Sequence, residues 1–201
     1  MPRAAVENRK LRAEGRKSAR GRSARGARSA TLEAALRRVR LFLCDVDGVL
    51  TDGSVFIGGK EEIKQFNIQD GLGLVRLRRA GLKVGWVSNR PSPATERRAR
   101  ELKIDFLRQE KGSKVLVVER LLAQTGFGWD EVCYIGDDIV DLGVLKRAGV
   151  AVAVANGVAE ARAAADYITR ASGGQGAVRE VVELVLKAQN KWQRIVMECT
   201  E

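Results

Sequence analysis

Carboxylates dominate the residues of this chain that could do chemistry. Asp45 and Asp47 alternate at the end of one apolar run, and Asp137, Asp138 and Asp141 gather at the end of another. Ser88 closes a third run, and Lys114 opens a helix-like stretch. The sequence has no His, so a His triad, a His general base and a phosphohistidine are excluded. Acid/base work then falls to carboxylates, Lys, Tyr or Cys. Cys44, Cys133 and Cys199 are odd in number, widely spaced and lack a CxxC pair, which argues against a zinc site. A single Asp at a strand end is most often a turn or helix cap. Several converging there repel one another unless a cation neutralises them. An all-oxygen donor set suits Mg²⁺, which keeps several waters and bridges to a substrate phosphate. An Asp carboxylate beside such an ion is a competent nucleophile towards phosphorus.

Convergence requires a fold that brings those ends together. Apolar runs over Val39–Val46, Leu82–Val87, Ile104–Leu107, Glu131–Ile135, Val150–Val154 and Tyr167–Thr169 predict strands. Helical spacing between them predicts helices over Gly73–Ala80, Ser92–Leu102, Ser113–Gln124, Ile139–Ala148 and Val158–Ala165, with a last one from Gly176 to about Gln193. Strands alternating with helices predict an α/β fold, a doubly wound, Rossmann-like parallel sheet covered on both faces. Such sheets bind ligands beyond the carboxyl ends of their strands, where the acidic residues fall. Continuing parallel order would set Asp137 beside Asp45 and Asp47. Ser54–Ile57, Gly58-Gly59 and Glu61–Asn67 break the alternation and read as an inserted β-hairpin. No other insertion is large enough for a lid domain.

The chain has 201 residues, 45% hydrophobic and 30% charged, which suits one domain with a real core. Its apolar runs are far shorter than the roughly 18 residues of a membrane span. The net charge is +11, and eight of those charges lie in residues 1–30, with ten basic residues against Glu7 and Glu14. That segment has almost no large apolar side chains and is expected to be a disordered basic extension. It reads either as an arm for RNA, acidic lipid or targeting, or as a solvated extension. The near-neutral remainder argues against a dedicated nucleic-acid-binding domain. The expected layout is the extension (1–30), one α/β domain (31–190) and a C-terminal tail (191–201). Unpaired thiols and no secretory apolar segment at the N-terminus predict the cytoplasm.

DVDGVLT after the first strand, Ser88 after the second, Lys114 at a helix start and GDDIVD after a later strand together resemble the four motifs of the haloacid dehalogenase superfamily of phosphohydrolases. The hairpin, FNIQDGLG at 66–73, ERRARELKI at 96–104 and GGQGAVREV at 173–181 narrow the resemblance to its capless branch of 3-deoxy-D-manno-octulosonate 8-phosphate phosphatases. It covers residues 38–190 and none of the basic extension.

The resemblance implies two-step phosphoryl transfer through an aspartyl-phosphate. Asp45 would be the nucleophile, and Asp47 the acid that protonates the departing sugar hydroxyl and then the base that activates water. Mg²⁺ would be held by the Asp45 and Asp137 carboxylates and the Asp47 backbone carbonyl, with Asp138 and Asp141 supporting. Ser88 and Lys114 would clamp phosphoryl oxygens. Asn67, Asp70, Gly71, Arg90, Arg98 and Arg179 would meet the sugar acid, whose carboxylate suits a guanidinium. Where the family carries Thr-Gly-Arg this chain has Ser88-Asn89-Arg90; Asn tolerates left-handed backbone angles second only to Gly. The resemblance also implies a homotetramer in which hairpins meet, with Val55, Ile57, Ile63 and Phe66 between subunits. Cys44 is expected in the core. Two other readings stay open: a sister phosphatase acting on an N-acylneuraminate 9-phosphate, and a nucleic-acid-associated protein working through the basic arm.

Overall fold

The computed structural model describes residues 31–56 and 62–200. The basic extension and Ile57–Glu61 lie outside the described residues. Six parallel strands form one sheet: β1 (Leu41–Cys44), β2 (Lys83–Ser88), β3 (Phe106–Gln109), β4 (Val132–Gly136), β5 (Val150–Ala153) and β6 (Tyr167–Ile168). Their spatial order is β3-β2-β1-β4-β5-β6. The order reverses at β1, which pairs with β2 on one side and β4 on the other. That reversal opens a crevice beyond the C-terminal ends of these strands. β1 reads LFLC and is buried at every position, as a central parallel strand covered on both faces must be.

Helices connect and cover these strands, among them α1 (Ile68–Arg79), α2 (Pro93–Glu101), α3 (Lys114–Thr125), α4 (Leu142–Leu145), α5 (Ala159–Ala164), α6 (Ala177–Ala188) and α7 (Trp192–Met197). α6 shows why these segments are helical: its buried residues Ala177, Val178, Val181, Val182, Val185 and Leu186 recur at helical spacing. This stripe faces α1, where Gly73 permits close approach: a Cβ there would lie 3.1 Å from Arg179 Cδ. One core cluster joins Leu41, Leu43 and Tyr134 to Val118, Leu121 and Leu145.

Several boundaries differ from the sequence reading. α1 begins at Ile68 rather than Gly73, because the Asn67 side chain accepts hydrogen bonds from the Gln69 and Asp70 amides and starts the helix before its apolar stripe. The helix expected over Ile139–Ala148 divides into a 3-10 turn, Ile139–Asp141, and the single turn α4. The last helix stops at Ala188, and Asn190 turns the chain with φ +57° into α7. α7 buries Ile195, so ordered structure continues past residue 190. In the expected hairpin, the described residues contain one antiparallel bridge, Phe56 to Ile63, rather than two strands.

Candidate active site

The β1–β4 ladder extends one step past β1, the Asp45 amide donating to the Ile135 carbonyl at 3.0 Å. This hydrogen bond places Asp45 beside the end of β4. Its Oδ1 accepts from the Val46 amide at 2.7 Å, and its Oδ2 lies 2.8 Å from Lys114 Nζ. The chain then turns through Gly48 at φ +90°, where an added Cβ would lie 2.1 Å from Asp137 Oδ2. Glycine is therefore required twice there, for the backbone angle and to let Asp137 approach. Thr51 Oγ1 steadies the turn, accepting from the amides of Gly48 and Gly53 at 3.3 Å each. A second loop locks it from above: the Gly174 amide donates to the Val49 carbonyl at 2.9 Å.

Lys114 opens α3 and is 2% exposed. Its Nζ bridges Asp45 and Asp141, donating to Asp141 Oδ1 at 2.7 Å. Burial pulls the ammonium towards deprotonation, but the two carboxylates outweigh it and hold Lys114 above its ordinary value. Asp141 is fully buried and takes four donors: Lys114 Nζ and the Tyr134 hydroxyl (2.5 Å) on Oδ1, and the amides of Asp137 (3.0 Å) and Asp138 (3.3 Å) on Oδ2. It thus fixes both the lysine and the loop that carries Asp137. Asp138 caps the following turn, accepting from the Ile139 amide at 2.6 Å.

Asp45, Asp137 and Asp141 each bring a carboxylate oxygen within 4.8 Å of the others. Burial, together with neighbouring carboxylates, pushes Asp137 up to about 7. Burial likewise raises Asp45 to about 6 against the opposing pull of Lys114. Asp137 Oδ1 is buried and has no hydrogen-bond partner. Asp141 takes four donors and each Asp45 oxygen takes one, so a cation there would be met first by the unpartnered Asp137 oxygen and then by the remaining lone pairs of Asp45. An orphaned carboxylate oxygen, carboxyls crowded enough to hold their protons to higher pH, and an oxygen-only donor set fit Mg²⁺.

On the other side of Asp45, Ser88 ends β2 and its Oγ accepts from the Arg90 amide at 3.1 Å. Asp47 projects beside the hairpin, where Lys64 Nζ meets its Oδ1 at 2.6 Å. Lys64 also lies 3.8 Å from Glu62, and Arg90 binds Glu62 at 2.5 Å. Sequence reasoning missed Lys64, Glu62 and Tyr134. Tyr134 carried the sole readable signal, a polar tip in an otherwise apolar strand; Lys64 and Glu62 are ordinary charges until the chain folds back.

The structure divides the residues expected to meet a sugar acid. Gly71 and Arg98 come together, since a Cβ on Gly71 would lie 2.5 Å from Arg98 Nη2. Arg98 Nε is buried without a partner, while Nη1 binds Glu101 at 2.8 Å. Asn67 reaches the Gly174 carbonyl at 3.4 Å. Asp70 is buried beneath the start of α6, its Oδ1 accepting from the Arg179 amide at 2.7 Å, and burial raises it to about 6. The Arg179 guanidinium binds Glu183 at 3.0 Å and sits 5.2 Å over the Trp192 ring. Phe66 stacks on Trp86 within the same chain, at 6.1 Å. Val55 and Ile63 are exposed, and Ile57 lies outside the described residues. Cys44 is buried, and burial raises its thiol well above the ordinary value.

This sheet order and this acidic crevice agree with a match of residues 106–181 to the family model of haloacid dehalogenase-like hydrolases. A 3-deoxy-D-manno-octulosonate 8-phosphate phosphatase from Yersinia pestis is 41% identical over 154 residues, covering 76% of this chain and 82% of that one. Its counterpart in Escherichia coli K12 is 38% identical over 167 residues, 83% of this chain and 89% of the relative. The Moraxella catarrhalis enzyme, crystallised with magnesium, phosphate and 3-deoxy-D-manno-octulosonate (KDO), superposes with a TM-score of 0.81 at 39% identity, over 83% of this chain and 97% of that one. The chain belongs to the 3-deoxy-D-manno-octulosonate 8-phosphate phosphatase family of haloacid dehalogenase-like hydrolases.

Proposed function

We propose that this protein hydrolyses the phosphomonoester of 3-deoxy-D-manno-octulosonate 8-phosphate, releasing the sugar acid and phosphate for lipopolysaccharide synthesis. The observation that carries the reading is the Asp45–Lys114–Asp141 bridge beside the unpartnered Asp137 oxygen, in a chain whose relatives bear that name. An Asp45 carboxylate oxygen attacks phosphorus while the bond from phosphorus to the sugar oxygen breaks. Asp47 gives its proton to that oxygen, and the phosphoryl group rests on Asp45. Asp47, now a carboxylate, takes a proton from water; the water oxygen bonds to phosphorus, and the Asp45–phosphorus bond breaks. Lys114 and Ser88 offset charge on the phosphoryl oxygens. Asp45, Asp137 and the Asp47 backbone carbonyl would hold Mg²⁺, which supplies Lewis-acid stabilisation of the transferring group.

Arg90, Arg98, Gly71 and Asn67 form the proposed sugar-acid side, supported by the close approach of Arg98 to Gly71 and the unpartnered Arg98 Nε, and Asp70 and Arg179 are proposed to support it through the contact of α1 with α6. The exposed apolar residues Val55, Phe56 and Ile63 support a homotetramer in which a neighbouring hairpin covers each site. No helix among the described residues is long and apolar enough to cross a membrane, and we place the enzyme in the cytoplasm with its substrate. The test is Mg²⁺-dependent phosphate release from 3-deoxy-D-manno-octulosonate 8-phosphate, run beside N-acetylneuraminate 9-phosphate and an Asp45→Asn control. Release from the first substrate alone, lost in the control, is expected. Equal rates on both would overturn the substrate assignment, and undiminished release by Asp45→Asn would overturn the mechanism.

A further inference from the structure

Lys64 is a lysine placed where lysines seldom sit. Its side chain is 2% exposed, a burial that sacrifices rotamer freedom and hydration. Its ammonium meets Asp47 Oδ1 at 2.6 Å, with Glu62 3.8 Å away and Arg90 3.9 Å from the same Asp47 oxygen. Positive groups therefore gather on Oδ1. The other oxygen, Asp47 Oδ2, is buried and has no hydrogen-bond partner. A carboxylate pinned through one oxygen has its side-chain rotation fixed, and the second oxygen keeps its lone pairs unengaged. Lys64 reaches Asp47 only because the hairpin folds back, bridging Phe56 to Ile63.

Resting on the phosphatase reading above, we propose that Lys64 is a positioning residue for proton transfer. It holds Asp47 by Oδ1 so that Oδ2 gives the proton to the departing sugar oxygen and later takes one from the attacking water. The hairpin thereby supplies part of the catalytic alignment, not only a surface.

Leaving-group chemistry separates this role from simple stability. An alkyl phosphate needs a proton on its leaving oxygen, whereas the p-nitrophenolate of p-nitrophenyl phosphate departs without one, and both substrates need Asp47 to activate water. In Mg²⁺-loaded full-length Lys64→Met, steady-state turnover of both is expected to fall about 100-fold, within the range of positioned acid–base catalysis. Stopped flow should then show a burst of about one p-nitrophenolate per active site, because the aspartyl-phosphate accumulates. No burst of free sugar should appear with the sugar phosphate. Lys64→Arg should regain at least about tenfold of the loss, because a buried cation is restored at Oδ1. Lys64→Gln, which keeps a polar side chain, is the second variant and should show the same burst if Lys64→Met does not fold.

Loss of turnover without a p-nitrophenolate burst, or a raised KM with unchanged kcat, would overturn the proposal. A wild-type enzyme that cleaves p-nitrophenyl phosphate but not the sugar phosphate would overturn the substrate reading alone, since the burst still reads Lys64. Wild-type activity on neither would remove both.

Discussion

Replacing Gly173 by Ala tests whether the loop before α6 sets the position of the catalytic turn. A Cβ at residue 173 would lie 1.7 Å from the Gly48 carbonyl oxygen, 2.6 Å from its carbon and 3.2 Å from the Thr51 carbonyl oxygen. All three are backbone atoms, so no side-chain rotation relieves the overlap. Real Cβ contacts rarely fall below 3.0 Å, so the two loops must part by roughly 1.3 Å, a separation comparable to the misplacement of about 1 Å that costs on the order of 100-fold in rate. Gly48 follows Asp47 directly and lies close against Asp137, so the shift falls on the proposed acid/base and on the proposed metal ligand together. Overpacking of this kind costs about 1–3 kcal/mol, and parting the loops also threatens the hydrogen bonds from Gly173 to Asn156 and from Gly174 to Val49. Mg²⁺-dependent phosphate release, measured at 25 °C where the variant stays folded by circular dichroism, should fall about 100-fold, with a lowered Tm. A Gly173→Ala enzyme with kcat within twofold of wild type would refute the reasoning, because the turn would then tolerate a displacement of its backbone.

Metal affinity should depend steeply on pH. Asp45 and Asp137, raised to about 6 and about 7 mainly by burial, take protons as pH falls through that range and displace Mg²⁺, so calorimetric titration should find binding strong at pH 8, weak near pH 5.5 and accompanied by proton release. The same raised pKa values mean that the metal-free fold holds protons that the unfolded chain has already shed. Its Tm in chelator should therefore fall as pH rises from about 4 to about 7, and saturating Mg²⁺ should flatten that slope; a Tm in chelator that rises over this interval contradicts the assignment. Asp141→Asn leaves Lys114 with one carboxylate and should cost about 3–5 kcal/mol in urea unfolding, as breaking a buried ion pair does. Tyr134→Phe removes one donor from Asp141, and a loss of about 1–2 kcal/mol with kcat reduced only a few-fold is expected; an unchanged Cm would show that the hydroxyl contributes nothing. Light scattering at micromolar concentration should give the mass of four chains, and a monomer mass would remove the proposed tetramer.

The sequence by itself determined the alternation of strands and helices, and with it the crevice at the carboxyl ends of β1, β2 and β4. Buried parallel strands must be continuous apolar runs, and turns must carry Gly, Asp or Asn, so both leave local signatures. Asp45, Asp47, Ser88, Lys114 and Asp137 were legible for the same reason: each stands where an apolar run stops or a helix starts. The start of α1 was not, because Asn67 caps through its side chain while the apolar spacing begins later. Nor did local pattern show that Asp141 would be saturated by four donors, one of them the hydroxyl of Tyr134 inside a buried strand. Lys64 was equally silent. Its meaning comes from a chain reversal that brings it to Asp47, 17 residues away, and a surface lysine and a buried one share the same letter. Tertiary structure alone decided which charges lost their water and which partners they met, as in the buried bridge of Lys114 to Asp45 and Asp141.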